Sequence, residues 1–263
     1  YFIDKLSNIC GIGWGLGVTY SGFFSETEAK LQIFKPDVKM LQVGNAGYDV
    51  WPFIQVIQNI DFDEYEYVLK LHTKGQSKQR LNGVNFKEWL WRDLLVKALL
   101  KSRSRFAACI RLLETQSDIG MLCSYELYKD MEGVLPEECE MLQNEAERIS
   151  LEVTDEYFCA GTIFLARLDA FRKLKEIEFS EESWGNLNKS HGNGTLAHVY
   201  ERILCLLVAD EGYRIETIIG SKKVSGKVFY KRKISPVFKS IFNIDRDPKT
   251  LDKYMILLGL KMR

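Results

Sequence analysis

Short apolar runs alternate with an amphipathic stretch between residues 38 and 71, and this alternation constrains the fold more than any other feature. Residues 38–43 have the composition of a strand, the apolar positions of residues 51–60 recur at helical spacing, and residues 67–71 again favour a strand. Strand, helix and strand at these intervals predict a βαβ unit within an α/β domain.

The second strand of this unit ends in three polar side chains. His72, Thr73 and Lys74 follow its apolar residues, and Gly75 breaks the strand. Ligands of open α/β sheets bind beyond the carboxyl ends of the strands, so these side chains are placed to contact a ligand. The alternative is that these are ordinary polar residues at the end of a strand. The segment alone does not distinguish ligand contact from this alternative.

Further candidate residues lie in or after other predicted strands and on a predicted helix: Asn45, Asp49, Gly161, Thr162, His198, Glu201 and Arg202. A glycine inside a predicted strand, such as Gly161, indicates close approach by a ligand or a neighbouring backbone. His198 and Glu201 are three residues apart and share one helical face. The alternatives are a surface ladder of ion pairs for this helix and simple helix capping for Asp49.

The remaining elements follow from apolar spacing and from capping residues. We predict helices over residues 25–34, 86–110, 168–174 and 195–209, strands over residues 119–123, 158–166 and 213–219, and an acidic surface insertion over residues 131–148. We assign residues 1–220 to one domain and residues 221–263 to a basic, aromatic extension.

The amino-acid composition indicates which partners and which cellular compartment to expect. The 36 basic and 36 acidic residues balance, which argues against a nucleic-acid partner. The six cysteines have no metal-binding or redox spacing, and we expect a reducing, cytoplasmic compartment. The extension is basic and aromatic and has no acidic residue over residues 221–239. Peripheral contact with anionic lipid through residues 221–242, at the inner face of the cell membrane, is one interpretation, and a solvated charged segment is the other.

Five separated motifs carry a resemblance to a known family: Asn45-x-Gly47-x-Asp49 with Pro52, Leu71-His72-Thr73-Lys74, Trp91-Arg92, Ala160-Gly161-Thr162-x-Phe164, and Gly194-Thr195-Leu196-Ala197-His198-x-x-Glu201-Arg202. Together they resemble the rhamnan synthesis protein F family, bacterial glycosyltransferases of cell-surface polysaccharide assembly. The resemblance implies a GT-A-like nucleotide-sugar-binding domain with a mostly parallel central sheet flanked by helices. It also implies a strand upstream of Tyr1.

The resemblance implies roles for the polar residues. GT-A enzymes usually carry an Asp-x-Asp that holds a divalent metal where this chain has His72 and Lys74, and a lysine can neutralise phosphate as a point cation. We therefore expect no metal and no other cofactor, with Lys74 and Arg92 on the diphosphate. The expected nucleotide-sugar-binding residues are Asn45, Asp49, His72, Thr73, Lys74, Arg92, Gly161, Thr162 and Arg202.

For inverting transfer, the resemblance points to Glu201 as the base that takes the proton of the acceptor hydroxyl, with His198 beside it. The family usually has Asp-Gly-Thr before this helix, whereas this chain has Asn193-Gly194-Thr195. The expected reaction moves a sugar, with L-rhamnose the first choice, from a nucleotide diphosphate donor to a polysaccharide or lipid-linked glycan. The alternatives are another sugar from UDP, or a non-catalytic binding module of a polysaccharide-synthesis complex.

Overall fold

The computed structural model describes residues 1–22, 25–73, 79–81, 84–86, 88–130, 136–153, 157–185 and 195–229. The helices are α1 (Phe2–Leu6), α2 (Ser25–Phe34), α3 (Val50–Asn59), α4 (Glu88–Leu100), α5 (Arg103–Thr115), α6 (Pro136–Arg148), α7 (Leu196–Asp210) and α8 (Lys222–Phe229). The strands are β1 (Gly17–Tyr20), β2 (Lys39–Gln42), β3 (Tyr67–Lys70), β4 (Gln79–Leu81), β5 (Val84–Phe86), β6 (Ile119–Ser124), β7 (Tyr128–Asp130), β8 (Tyr157–Cys159), β9 (Phe164–Arg167) and β10 (Arg214–Ile218).

The central sheet has four strands in the order β10–β6–β9–β3 and is mixed. Strand β10 is parallel to β6, whereas β9 is antiparallel to both of its neighbours. The expectation of a mostly parallel central sheet is therefore wrong for these strands, although β1 and β2 form a separate parallel pair. Because β9 is antiparallel to β3, Phe164 at its start pairs with Lys70 at the end of β3. Residues before β9 therefore meet residues after β3, and this meeting point forms the candidate site.

Apolar spacing explains the elements that support this edge of the sheet. In α3, Trp51, Ile54 and Ile57 recur at helical intervals and are buried against the core. Every residue of β6 is buried, which is typical of a strand covered on both faces. Helices α4 and α7 pack against this strand. The predicted strand, helix and strand are confirmed as β2, α3 and β3. Among the described strands, however, β2 pairs with β1 and β3 pairs with β9, so β2 and β3 are in different sheets and the predicted βαβ unit is wrong.

The predicted strand over residues 158–166 is wrong, since it divides into β8 and β9. The backbone between them turns at Gly161 and Thr162, whose φ angles are 85° and 41°. Positive φ takes both residues out of the β region, so a continuous strand cannot pass through them. This turn carries two of the predicted binding residues.

Three other predictions need correction. The helix predicted over residues 86–110 is two helices, because Ser102 caps α5 by accepting a hydrogen bond from the Arg105 amide at 3.2 Å. The acidic insertion predicted over residues 131–148 contains α6, which buries Leu142 and Ala146 against α7. The predicted helix over residues 168–174 is a 3-10 helix.

A polar contact joins α6 to α7 within this packing. Tyr200 donates a hydrogen bond to Glu145 at 2.7 Å, and Arg148 donates to the same carboxylate at 2.5 Å. Burial acts to raise the pKa of Glu145, but the hydrogen bonds from Arg148 and Tyr200 outweigh it and hold the pKa below its usual value. Burial, reinforced by the hydrogen bond to Glu145, raises the pKa of Tyr200.

The extension predicted from residue 221 begins with α8, which is fixed to the domain through Glu126. Its buried carboxylate accepts hydrogen bonds from the amides of Gly220 at 3.1 Å and Ser221 at 2.7 Å. In the part of the chain that the structure describes, no helix combines the length and the apolar character that crossing a membrane requires. The rest of the predicted extension lies outside the described residues, and the division into two regions stays a prediction.

Candidate functional site

A buried ion pair forms the centre of the candidate site. Lys70, the last residue of β3, is only 5% exposed. Its ammonium group lies 2.5 Å from Oδ2 of Asp49, and it also donates to the carbonyl and hydroxyl oxygens of Thr162 at 3.0 and 2.9 Å. Three acceptors therefore satisfy the three donors of this lysine. A lysine is almost never buried without such partners, so the pair fixes the end of β3 to the start of α3.

Asp49 holds the N-cap position of α3, but its side chain makes no capping hydrogen bond. Its carboxylate instead binds Lys70 and accepts a hydrogen bond from the Thr162 hydroxyl. The Asp49 side chain therefore holds the ion pair and does not cap the helix, as the alternative had it. The geometry also explains the backbone of Thr162, because a β-branched residue with positive φ needs compensating contacts.

His72 lies on the other side of Asp49 and joins it to the turn before β9. Its Nε2 lies 2.7 Å from the carbonyl oxygen of Gly161, and its Nδ1 lies 3.2 Å from Oδ1 of Asp49. A carbonyl oxygen can only accept, so Nε2 must carry a proton. Both ring nitrogens of His72 therefore face groups of the cluster rather than solvent.

Glu201 closes the cluster from α7. Its carboxylate accepts a hydrogen bond from the Gly161 amide at 2.6 Å. Gly161 thus contacts His72 through its carbonyl oxygen and Glu201 through its amide. We call the set of Asp49, Lys70, His72, Gly161, Thr162 and Glu201 the strand-end cluster.

Tyr48 and His198 flank the strand-end cluster. The two rings meet edge to face, with centroids 5.6 Å apart. The Thr195 hydroxyl lies 2.9 Å from Nδ1 of His198, which fixes the imidazole on the first turn of α7. Gly47 turns the loop at a φ of 61°, where an added Cβ would lie 2.4 Å from that of Trp51. The loop before α3 and the start of α7 are therefore side by side.

The structure brings together most of the predicted site residues. Asp49, His72, Gly161, Thr162 and Glu201 are in the strand-end cluster, as described above. His198 lies beside it. Asn45 and Thr73 are exposed on the segments that lead to and from it. Lys74 lies outside the described residues, so its predicted role on the diphosphate stays a prediction.

The two predicted arginines have partners elsewhere. Arg202 forms a buried ion pair with Glu138 on α6 at 2.6 Å, and its guanidinium lies over the Phe158 ring. Arg92 stacks on the Tyr1 ring at 3.8 Å and lies 3.3 Å from Asp93. These contacts fix both arginines within the fold and give neither of them a described contact with the strand-end cluster.

Lys70 was missed by sequence reasoning, although a signal was present. It is a charged residue inside the apolar run of residues 67–71, and a lysine at such a position must find an acidic partner. Its partner is 21 residues away, beyond the intervening helix, which local spacing does not reveal. Over the described segments, no group of three or more His, Cys, Asp or Glu side chains has the arrangement of a metal site.

Comparison with known proteins assigns the chain to a family. The chain is 28% identical over 176 residues to "Uncharacterized protein WxcX" from two strains of Xanthomonas campestris pv. campestris. The aligned part is 66% of this chain and 24% of each relative, so the chain spans about a quarter of the length of these curated relatives. No solved structure shows a significant match. The model of the family described as Rhamnan synthesis protein F matches residues 24–213, which contain every residue of the strand-end cluster, and the chain belongs to this family.

Proposed function

We propose that this chain carries the donor-binding region of a glycosyltransferase of polysaccharide synthesis, with a GT-A-like arrangement. The observation that carries the proposal is the strand-end cluster, in which a buried lysine is paired with a half-buried acid at the strand end where α/β domains bind ligands. Buried charges cost free energy, and an apolar core would fold without them. The description of the family supports polysaccharide synthesis as the process.

The diphosphate of the donor would bind where β3 leads into Thr73 and Lys74. His72 contributes indirectly, because both of its ring nitrogens hold cluster residues in place. The exposed Thr73 and the adjacent Lys74 are then the groups that contact phosphate, with Lys74 supplying the positive charge. This proposal predicts sugar transfer that persists in EDTA, and loss of transfer with recovery on adding manganese would contradict it.

Glu201 is the proposed base of an inverting transfer. It would take the proton of the acceptor hydroxyl as that oxygen bonds to the anomeric carbon and the nucleoside diphosphate leaves from the opposite face. The hydrogen bond from the Gly161 amide at 2.6 Å fixes one carboxylate oxygen, which orients the side chain. His198 lies on the same face of α7, one turn before Glu201, and would orient the acceptor.

Substitution of Glu201 by glutamine tests this assignment. Glu201→Gln keeps an oxygen that accepts from the Gly161 amide, so we expect the fold and donor binding to persist. Loss of a general base lowers turnover by roughly 100- to 10,000-fold. The matched control is Glu114→Gln on the exposed face of α5, which should keep full turnover. A Glu201→Gln variant with full turnover would refute the assignment.

Nucleotide binding separates this function from the alternatives. Stabilisation by dTDP would support the first choice of donor, a dTDP-linked L-rhamnose, and stabilisation by UDP would support another sugar. Binding without hydrolysis or transfer of the donor would favour a non-catalytic module. The acceptor and the activity of the whole protein are part of the proposal, since the chain spans about a quarter of its curated relatives.

We further propose that α8 contacts anionic lipid at the inner, cytoplasmic face of the membrane. At 100° per residue, Lys222, Lys223 and Lys227 fall on one exposed arc, opposite the buried Val228. Phe229, at the edge of this arc, is 49% exposed. Helix α8 follows β10, whose end lies at the same edge of the sheet as the strand-end cluster. A lipid-linked acceptor would therefore be presented on the correct side.

Liposome flotation tests this contact. Replacement of the three lysines of α8 by glutamine should lower binding to vesicles that contain phosphatidylglycerol, since each basic residue near such a surface contributes about 1 kcal/mol. Neutral phosphatidylcholine vesicles provide the control. Equal binding of the variant and the unchanged protein to the anionic vesicles would refute the contact.

A further inference from the structure

Tyr48 combines two features that conflict in a residue with a purely structural role. Its φ angle is 54°, in the left-handed region that bulky residues rarely occupy. The residue is nevertheless 42% exposed, so burial of the side chain does not compensate for the backbone strain. Glycine or asparagine would adopt this conformation with less strain. Strained residues of this kind cluster at ligand-binding sites.

The position of Tyr48 indicates what the strain achieves. The residue immediately precedes Asp49 of the strand-end cluster, and its ring and the His198 imidazole meet edge to face. Within the described part of the chain, the ring has this one aromatic contact and the hydroxyl makes no hydrogen bond. A large part of the ring is therefore open, at the junction of the α3 loop and the first turn of α7.

We propose that Tyr48 is the platform on which the base of the donor nucleotide stacks. This inference rests on the proposed function, because it assigns one part of the donor to one side chain. A planar base buries apolar surface against such a ring, and every base has a face that can stack. The left-handed backbone turns the ring out of the core, and contact with His198 holds it at the side of the cluster.

Substitutions of Tyr48 that remove or keep its aromatic ring test whether the base of the nucleotide stacks on it. Tyr48→Asn and Tyr48→Gly remove the ring with residues that tolerate positive φ, and Tyr48→Phe retains it. Isothermal titration would measure the affinity of each variant for UDP, dTDP, UDP-glucose and dTDP-glucose. Trp89→Ala, which removes an exposed ring from α4, provides the control. Melting temperatures would be recorded for all variants.

We expect Tyr48→Asn and Tyr48→Gly to bind nucleotide about tenfold more weakly or worse, as is usual when base stacking is lost, without a lower melting temperature. Tyr48→Phe and Trp89→Ala should keep the original affinity. In Tyr48→Asn and Tyr48→Gly, the loss of affinity should be equal for nucleotides with and without sugar. Unchanged affinity, a loss confined to the sugar nucleotides, or a lower melting temperature in both ring-removing variants would overturn the inference alone. Failure of the unchanged protein to bind any of the four probes would overturn the proposed function as well.

Discussion

The buried ion pair between Lys70 and Asp49 makes a strong prediction for stability. Lys70→Met removes the charge but keeps an unbranched side chain of similar length, so the core around Phe53 stays filled. The Asp49 carboxylate then loses its cation, and Thr162 loses the donor to its carbonyl oxygen. We expect the variant to fold with lower stability and to bind ligand less well.

The magnitude follows from how far water can reach the carboxylate that is left behind. Breaking a buried ion pair from one side costs about 3–5 kcal/mol. The Asp49 side chain is 21% exposed and keeps its hydrogen bond from the Thr162 hydroxyl, which places the cost near the lower end of this range, at about 3 kcal/mol. At roughly 2–4 °C per kcal/mol for a domain of this size, the melting temperature should fall by about 6–12 °C.

Urea and thermal unfolding would measure this loss, with a double-mutant cycle to isolate the pair. The Asp49→Asn and Lys70→Met double variant should be more stable than the sum of the single changes predicts, by about 1–3 kcal/mol. Lys30→Met breaks an exposed pair with Glu26 and provides the control, with little change expected. A Lys70→Met variant within about 0.5 kcal/mol of the unchanged protein, typical of a surface substitution, would refute the buried pair.

Three further predictions concern packing and pH. Arg202→Met should lower stability by about 3–5 kcal/mol in urea unfolding, since it leaves the buried Glu138 carboxylate without its cation; a change below 1 kcal/mol would contradict a structural role. Gly120→Ala should cost about 1–3 kcal/mol by the same assay, because the new Cβ would lie 2.4 Å from that of Tyr213; full stability would show that the strand can shift. Glu145 has a lowered folded pKa, so its contribution is present above the unfolded pKa of about 4.5 and is lost as pH falls through the folded value. The stability difference between the unchanged protein and Glu145→Gln should therefore shrink below that pH, and a difference that is constant from pH 7 to pH 3 would contradict the assignment.

Sequence patterns predicted the elements whose burial is periodic. Helix α3 and strands β2 and β3 were found because their apolar residues recur at helical or strand spacing between clear breakers. Helix α6 was missed because most of its residues are charged or polar, and the two apolar positions that α7 covers are too few to give a pattern. The direction of β9 was not predictable locally, since the turn at Gly161 and Thr162 depends on contacts with Asp49 and Lys70.

The candidate site shows the same division between local and long-range information. Asp49 and His72 were identified because they lie at element ends, where polar side chains are easily recognised, and Glu201 because it shares a helical face with His198. Lys70 was missed, and Arg202 was predicted as a binding residue although it pairs with Glu138 on α6. In both cases the partner is in a different element, which local spacing does not reveal. Motif spacing identifies a residue that could take part in a site, whereas the tertiary fold determines which groups it contacts.

A crystal structure after soaking with dTDP or UDP would show whether the donor nucleotide binds at the strand-end cluster. We expect a diphosphate beside the end of β3, within hydrogen-bonding distance of Thr73 or the following residue, with the base against Tyr48 and the Glu201 carboxylate facing the space for the sugar. A nucleotide bound away from the strand-end cluster, or a site that stays empty while both nucleotides fail to bind in solution, would contradict this expectation.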